Sequence, residues 1–528
     1  MEELKILSPT AILGYGFPMS SWEKGMSLKP DVIAVDAGST DPGPYYLGAG
    51  LSFTDREAVK RDLSIMIPAA LEANIPVIIG SAGGSGAAPH LQWNREIIED
   101  IAKEQNLNFT LAVIPSDINK SAIKESLKKG QITPLKPAPP LQEKDIDDAT
   151  HIVAQLGPEP IINALNQGAQ VILTGRAYDP VVFAALAIQK GYDIGLATHL
   201  GKILECAAIA ATPGSGSDCM FGFIGKDYFR VMPLNETRKC TTQSVAAHTL
   251  YEKTNPYILP GPGGILDLHQ TVFTQETDNT VRVTGSRFIP SDKYTVKLEG
   301  VKKTGNRTVS IAATADPVMI AQIDEITPAV KARVADNFTG LEDYFLDFII
   351  YGRTGKPGVM GIFDAAQHGC KADDFDKSDS SAGQVDDLVP AVFSAGQVDD
   401  FDKAVFSTAA CPQPRSSQEA VSPAEKCLKR CIFSAGQLPL TAVRSTPELA
   451  IIIDAVAPTQ DLANTICSFA RSTLLHYGYP GRISTAGNLA FPFSPSDIKM
   501  GDVYEFCIYH VMEVDDPCAH FPVEIVNL

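Results

Sequence analysis

Asp36 and Asp41 stand five residues apart in DAGSTDPG, a turn-rich loop that follows an apolar run. Carboxylates in a loop at a strand end can serve as general bases or bind a metal. The structural alternative is that they bond their own backbone, as Asp and Ser do in turns. Arg176, in TGRAYDP, stands at the end of another apolar run. A guanidinium there can grip a substrate carboxylate with two parallel bonds. Its alternative is an internal ion pair with Asp179, which is otherwise a good N-cap before Pro180. Between these lies PVIIGSAGGSGAAPHLQ, residues 76–92. Strand, glycine loop and helix in that order present bare N–H groups and a positive helix end to an anion. Gly83, Gly84, Ser85 and Gly86 are the expected donors, as in an oxyanion site, and His90 lies one helical turn further on. The same stretch also reads as a tight strand-to-helix turn without a ligand.

The remaining chemistry-bearing residues give weaker signals. No Lys follows the last glycine, and the Gly-x-Gly-x-x-Gly spacing is absent, so neither nucleotide fingerprint applies. Gly84-Ser85-Gly86 lacks the nucleophile-elbow spacing, which weakens a hydrolase reading. His248, in SVAAHTLYEK, is a candidate general acid or base or a packed core histidine. Cys219 is a candidate nucleophile or a small buried hydrophobe. His199 and Glu205 are six apart, point in different directions on one helix and lack the H-E-x-x-H pattern, so no metal is expected from them.

These residues need elements to hold them. Residues 4–13, 31–36, 76–79, 109–115 and 169–174 are short apolar runs that read as buried strands. Helical patterns separate them at 54–74, 89–103, 117–129, 158–167 and 180–190, with Pro68 expected to kink or split the first. Residues 130–147, with four prolines, read as a loop or crossover. Alternation of this kind predicts βαβ units and a mostly parallel sheet, with ligands beyond the carboxyl ends of the strands. Four glycine-bearing loops, 14–18, 36–44, 80–86 and 175–179, meet at that rim. From residue 198 the texture changes: a second glycine-serine loop at 213–218, then alternating Thr, Val, Arg and Lys over 270–315 that read as antiparallel strands. The expected fold is therefore an α/β domain with glycine-rich strand-end loops over 1–197, then an α+β portion over 198–364. Residues 365–445 repeat DDFDK, SAGQVDD and SAGQ irregularly and are expected to be a largely disordered insert. An α+β segment over 446–528 packs on what precedes it, with a helix over 459–476 and a strand over 503–514.

A net charge of −18 excludes the basic footprint of a nucleic-acid or anionic-membrane surface. Ten scattered cysteines without C-x-x-C suit a reducing compartment. With no signal peptide and no long apolar stretch, a cytoplasmic protein is expected.

DAGSTDPGPYYLG (36–48), GSAGGSGAAPHL (80–91), TGRAYDP (174–180), HLGKILECAA (199–208), PGSGSDCM (213–220) and SVAAHTLYEK (244–253) together resemble the acyclic terpene utilisation (AtuA-like) family. Residues 456–495 resemble its longer members, and the insert departs from the family pattern. The resemblance implies catabolism of branched or terpenoid acids, with a CoA thioester as a possible substrate form. Read with the residues, it gives the expectation of hydratase or lyase chemistry. Asp36, Asp41 and His248 would move protons, and Arg176 and Asp179 would join the glycine loop in holding the substrate. No metal or other cofactor is expected. The expected partners are a small acid or acyl molecule and further copies of the chain. The alternative is a non-catalytic subunit that binds an acyl ligand or scaffolds a catabolic enzyme.

Overall fold

The computed structural model describes residues 2–250, 255–340, 343–352, 448–483 and 487–528. The repetitive segment 365–445 thus lies outside the described residues. The first part of the chain forms strands β1 (Leu4–Ser8), β2 (Val32–Asp36), β3 (Val77–Gly80), β4 (Thr110–Ile114), β5 (Ile132–Pro134), β6 (His151–Ala154) and β7 (Val171–Thr174). Among them run helices α1 (Met19–Ser27), α2 (Pro44–Ala49), α3 (Arg56–Ala73), α4 (Ala88–Glu104), α5 (Lys120–Lys128), α6 (Glu143–Asp148) and α7 (Pro158–Asn166). Next come α8 (Asp179–Gln189), α9 (Ile194–Leu204), β8 (Met220–Ile224), β9 (Phe229–Pro233) and α10 (Thr242–Thr249). The later strands are β10 (Ile258–Gly261), β11 (Gly264–Asp267), β12 (Val272–Thr277), β13 (Thr280–Thr284), β14 (Arg287–Pro290) and β15 (Tyr294–Thr314). Last are β16 (Phe345–Tyr351), β17 (Leu449–Ala457), β18 (Asp497–Val514) and β19 (Glu524–Asn527).

The large sheet runs β12-β13-β9-β8-β1-β2-β3-β7-β4-β19. Its centre, β1-β2-β3-β7-β4, is parallel, and its flanks are antiparallel. The central strands are apolar at nearly every position because both faces are covered. Trp22 of α1, Leu63 of α3 and Ile97 of α4 form one core with one face. Phe183 of α8 and Leu200 of α9 belong to the core on the other face. A second sheet, β16-β17-β15-β18-β5 with β6 on β15, is antiparallel. It packs against the helices Ile323–Asn337 and Gln460–His476. The expected α/β sheet and later α+β region are both present.

Residue 197 is not a boundary between sheets. Strands β8, β9, β12 and β13 extend the first sheet, while β5 and β6 cross into the second. The stretch 130–147 is more than a crossover, since it holds β5 and α6. A three-residue strand has no readable period, and β5 exists because β18 pairs with it. The first strand ends at Ser8, just before Pro9. Pro68 does not split α3, which is continuous over 18 residues. The Ser64 carbonyl that the missing N–H of Pro68 would have satisfied accepts instead from Gln105 Nε2 at 3.3 Å.

The sequence order β1-β2-β3-β4 advances across the sheet, and β7 returns into the slot between β3 and β4. The chain leaves β3 toward α4 on one face and leaves β7 toward α8 on the other. Between these strands the two loops part, which makes a topological switch point, the place where open α/β sheets receive ligands.

Gly86 ties the two loops together. Its φ is +70°, and a Cβ there would fall on the backbone of Arg176. Gly130, with φ +68°, faces open space. Gly86→Ala is expected to cost about 3 kcal/mol, from overpacking plus strain, against about 1 kcal/mol for Gly130→Ala. Urea unfolding of the two variants measures the difference. Equal costs would mean that the approach to Arg176 is not what requires glycine at 86.

Candidate functional site

Arg176 is the centre of the rim and is 3% exposed. Its Nε donates to Glu299 Oε2 at 2.9 Å. Its Nη1 donates to Asp179 Oδ1 at 2.7 Å, to the Ala177 carbonyl at 2.7 Å and to Ser81 Oγ at 3.1 Å. Ser81, just after β3, holds φ at +47°, an uncommon conformation for a residue with a side chain. Its Oγ also accepts from the Ala177 N–H at 3.3 Å. Glu299, on β15 of the second sheet, is fully buried and takes Gln155 Nε2 at 3.1 Å and Lys297 Nζ at 2.8 Å on its other oxygen. Burial alone would raise the Glu299 carboxyl, but Arg176 and Lys297 outweigh it and hold it at about 2.

Asp36, the last residue of β2, lies in the same field. Burial pushes its carboxyl well above the usual range, and Asp179 and Glu205 push it further than Arg176 and the Gly38 N–H pull it back. Its Oδ1 is buried and has no hydrogen-bond partner. Lys202 and Glu205, one turn apart at the end of α9, form a buried ion pair with each other. Burial alone would lower Lys202; Glu205 more than restores it. Four carboxylates, Asp36, Asp179, Glu205 and Glu299, thus share a low-dielectric region with three cations, Arg176, Lys202 and Lys297. Of the four, only Asp36 has no ion pair among the described residues, and burial above all raises its proton affinity. A proton held on one carboxyl beside charged partners is the arrangement that general acid–base catalysis needs.

The sequence candidates fall on both sides of this cluster. Asp36, Arg176 and Asp179 are brought together. His248, on α10, is buried within the field of Lys202; burial and that charge hold it at about 4, so it is neutral at pH 7. Asp41 is exposed and turned onto its own loop, where it accepts from Ser39 Oγ at 2.7 Å. His90 is buried, with Nε2 at 3.1 Å from the Tyr46 carbonyl and 3.0 Å from that of Leu51. His199 lies between Ser286 and Thr249 and is held at about 3 by burial and Lys202. Cys219 is fully buried, and its thiol is raised by burial and Asp218.

The glycine loop makes several hydrogen bonds within the protein. The Gly83 N–H donates to Asn94 Oδ1 at 2.7 Å, that of Gly84 to the Ser81 carbonyl at 2.8 Å, and that of Gly86 to the Ala82 carbonyl at 3.0 Å. The Gly84 and Gly86 donors are thus spent inside the loop, and the Gly83 donor on α4. The glycines serve close approach: Phe53 packs on Gly84 and His90 on Gly83. Ser85 Oγ is buried there without a partner.

Ser81, Lys202, Glu205 and Glu299 were not singled out as acid–base residues. A Lys and a Glu one turn apart in an otherwise apolar helix was the available signal for the pair on α9. Nothing local marks Glu299. Among the described residues, no three His, Cys, Asp or Glu side chains are grouped to hold a metal ion, and no helix is long and apolar enough to cross a membrane.

Residues 55–218 match the family model of acyclic terpene utilisation family protein AtuA. The match implies a role in acyclic terpene utilisation. No curated protein and no solved structure matches the chain significantly. The AtuA-like span carries the glycine loop, Arg176, Asp179, Lys202 and Glu205. Asp36, His248 and Glu299 lie outside it.

Two outcomes are expected. Glu299→Gln leaves Arg176 and Lys297 short of a counter-charge and should cost about 3 kcal/mol or more in urea unfolding. A loss near zero would show that the pair is solvated rather than buried. Asp36→Asn should act in the opposite direction. A carboxyl raised in the native state binds its proton more tightly there than in the unfolded chain, so native stability falls as pH climbs from 3.8 toward the raised value. The Asn variant lacks that loss. Its melting temperature should match the wild type near pH 4 and exceed it at pH 8; a lower value at pH 8 would mean that Asp36 is ionised and paired.

Proposed function

We propose that this protein is an enzyme that moves a proton on an acyclic, branched carboxylic acid or its CoA thioester, in a hydratase or lyase step. The observation that carries this reading is the buried Asp36 carboxyl at the switch point, its Oδ1 without a hydrogen-bond partner, in a cluster where carboxylates outnumber cations. A hydrogen on carbon beside a carbonyl is removed, or delivered to a double bond, by a group that can both hold and release a proton near neutral pH. Asp36 is that group in this reading. Arg176 orients the acid or thioester oxygen through Nη2, which makes no hydrogen bond among the described residues. Its Nε and Nη1 are fixed by Glu299, Asp179 and Ser81. Burial, with Asp179 and Glu205, raises the Asp36 proton affinity, and His248, neutral beside Lys202, is a second carrier.

A second reading has its own support. Most of the Arg176 donor capacity is already used within the protein, which suits a structural clamp in a ligand-binding subunit. Exchange of carbon-bound hydrogen separates the two. Acyclic terpenoid acids and their CoA thioesters are incubated with the protein in D2O, and deuterium next to the carbonyl is followed by NMR. The enzyme reading expects incorporation, lowered about a hundredfold or more in Asp36→Asn, and little changed in Asp41→Asn. Binding without incorporation, or an Asp36→Asn variant with full rate, would overturn it in favour of the subunit.

A further inference from the structure

A cavity of about 200 Å³ opens between α7, α8, α9 and the three-stranded sheet β10-β11-β14. Ile162 of α7, Val181 and Ile188 of α8, and Leu266 and Phe288 of the sheet line it. The walls are hydrocarbon, so an apolar group gains by leaving water for this space. Glu159 and Tyr294 also reach the lining, where Tyr294 Oη donates to Glu159 Oε2 at 2.6 Å. Pairing the two polar groups with each other keeps this part of the wall compatible with an apolar occupant.

Tyr178 joins the cavity to the charged rim. Its ring lines the cavity and lies against Gly261, where a Cβ would come within 2.8 Å of Cε1. Its hydroxyl is in the field of Glu205, Lys202 and Asp179, and burial holds the phenol neutral. The next residue, Asp179, is an Arg176 partner. A hydrocarbon-lined space and a charged acid-handling cluster are therefore one side chain apart. That arrangement fits an amphiphile, with an acid head and an aliphatic tail.

We infer that this cavity holds the branched hydrocarbon chain of an acyclic carboxylic acid whose head is at Arg176 and Asp36, with Tyr178 packed between the two. The inference rests on the reading of the cluster as an acid-handling site, and it adds what selects the chain. Ile162 lines the space from α7, so its size limits the volume left for a chain.

Calorimetric titration with straight and methyl-branched fatty acids of increasing length tests this. Affinity should rise about fourfold per buried methylene until the cavity is full, then level off. Ile162→Phe should bring the levelling to a shorter chain, and Ile162→Ala should move it to a longer one, with the shortest acids unaffected in both. Arg176→Lys should weaken every length alike. A length series that shifts with the Ile162 variants but ignores Arg176→Lys would keep the cavity and remove the head-group reading. Affinity independent of chain length, a levelling point unmoved by either Ile162 variant, or no binding of any acid would overturn the cavity inference. Either Ile162 variant suffices if the other does not fold.

Discussion

The Arg176 guanidinium is the interaction on which the rest of the rim depends. Removing such a charge from water costs several kcal/mol, which only close and well-directed partners offset. Those partners come from three places: Ser81 after β3, Asp179 at the start of α8, and Glu299 on β15. The two loops at the switch point and the second sheet are thus held by one side chain. The same demand explains why Gly86 and Gly175 are bare. Side chains there would displace Arg176 or Ser116, and Ser116 Oγ fixes the loops by donating to the Gly86 carbonyl at 3.0 Å and accepting from the Arg176 N–H.

Charge balance at this rim is deliberate in its imbalance. Glu299 is matched twice, by Arg176 and Lys297, and is locked as an anion. Asp36 is matched by no ion pair and is surrounded by further carboxylates. The proton affinities of two acids in one buried region are thereby pushed in opposite directions, which is how environment assigns roles to chemically similar groups. The cost is native stability at neutral pH, as expected where a site is built for chemistry rather than for packing.

The parallel sheet was legible because strands covered on both faces must be continuously apolar and their loops must carry turn residues; 31–36, 76–79 and 169–174 all obey this. Asp36, Arg176 and Asp179 were legible as polar residues placed just beyond such strands. Glu299 was not, because the alternation of β15 fails at that position: Leu298, Glu299 and Gly300 are all buried. Its partner is 123 residues away, and no local pattern encodes so distant a pairing. The glycine loop is legible only in part for a related reason. Gly-rich composition records that backbone must come close to something, and here Phe53, His90 and Arg176 all come that close. β5 and β6 escaped notice because each is defined by the long strand it joins.

The strand β19 lies at the edge of the first sheet, where it covers β4, and Thr110 Oγ1 donates to Asn527 Oδ1 across 417 residues of sequence. A ribosome delivers the chain from one end, so β4 is made long before its partner. Until then the flank of a highly apolar parallel sheet carries unpaired N–H and C=O groups, the feature that invites pairing with other chains. The sheet that positions the acid cluster therefore stays open along β4 until β19 has emerged, and the nascent chain must be kept from association while the residues between them are made.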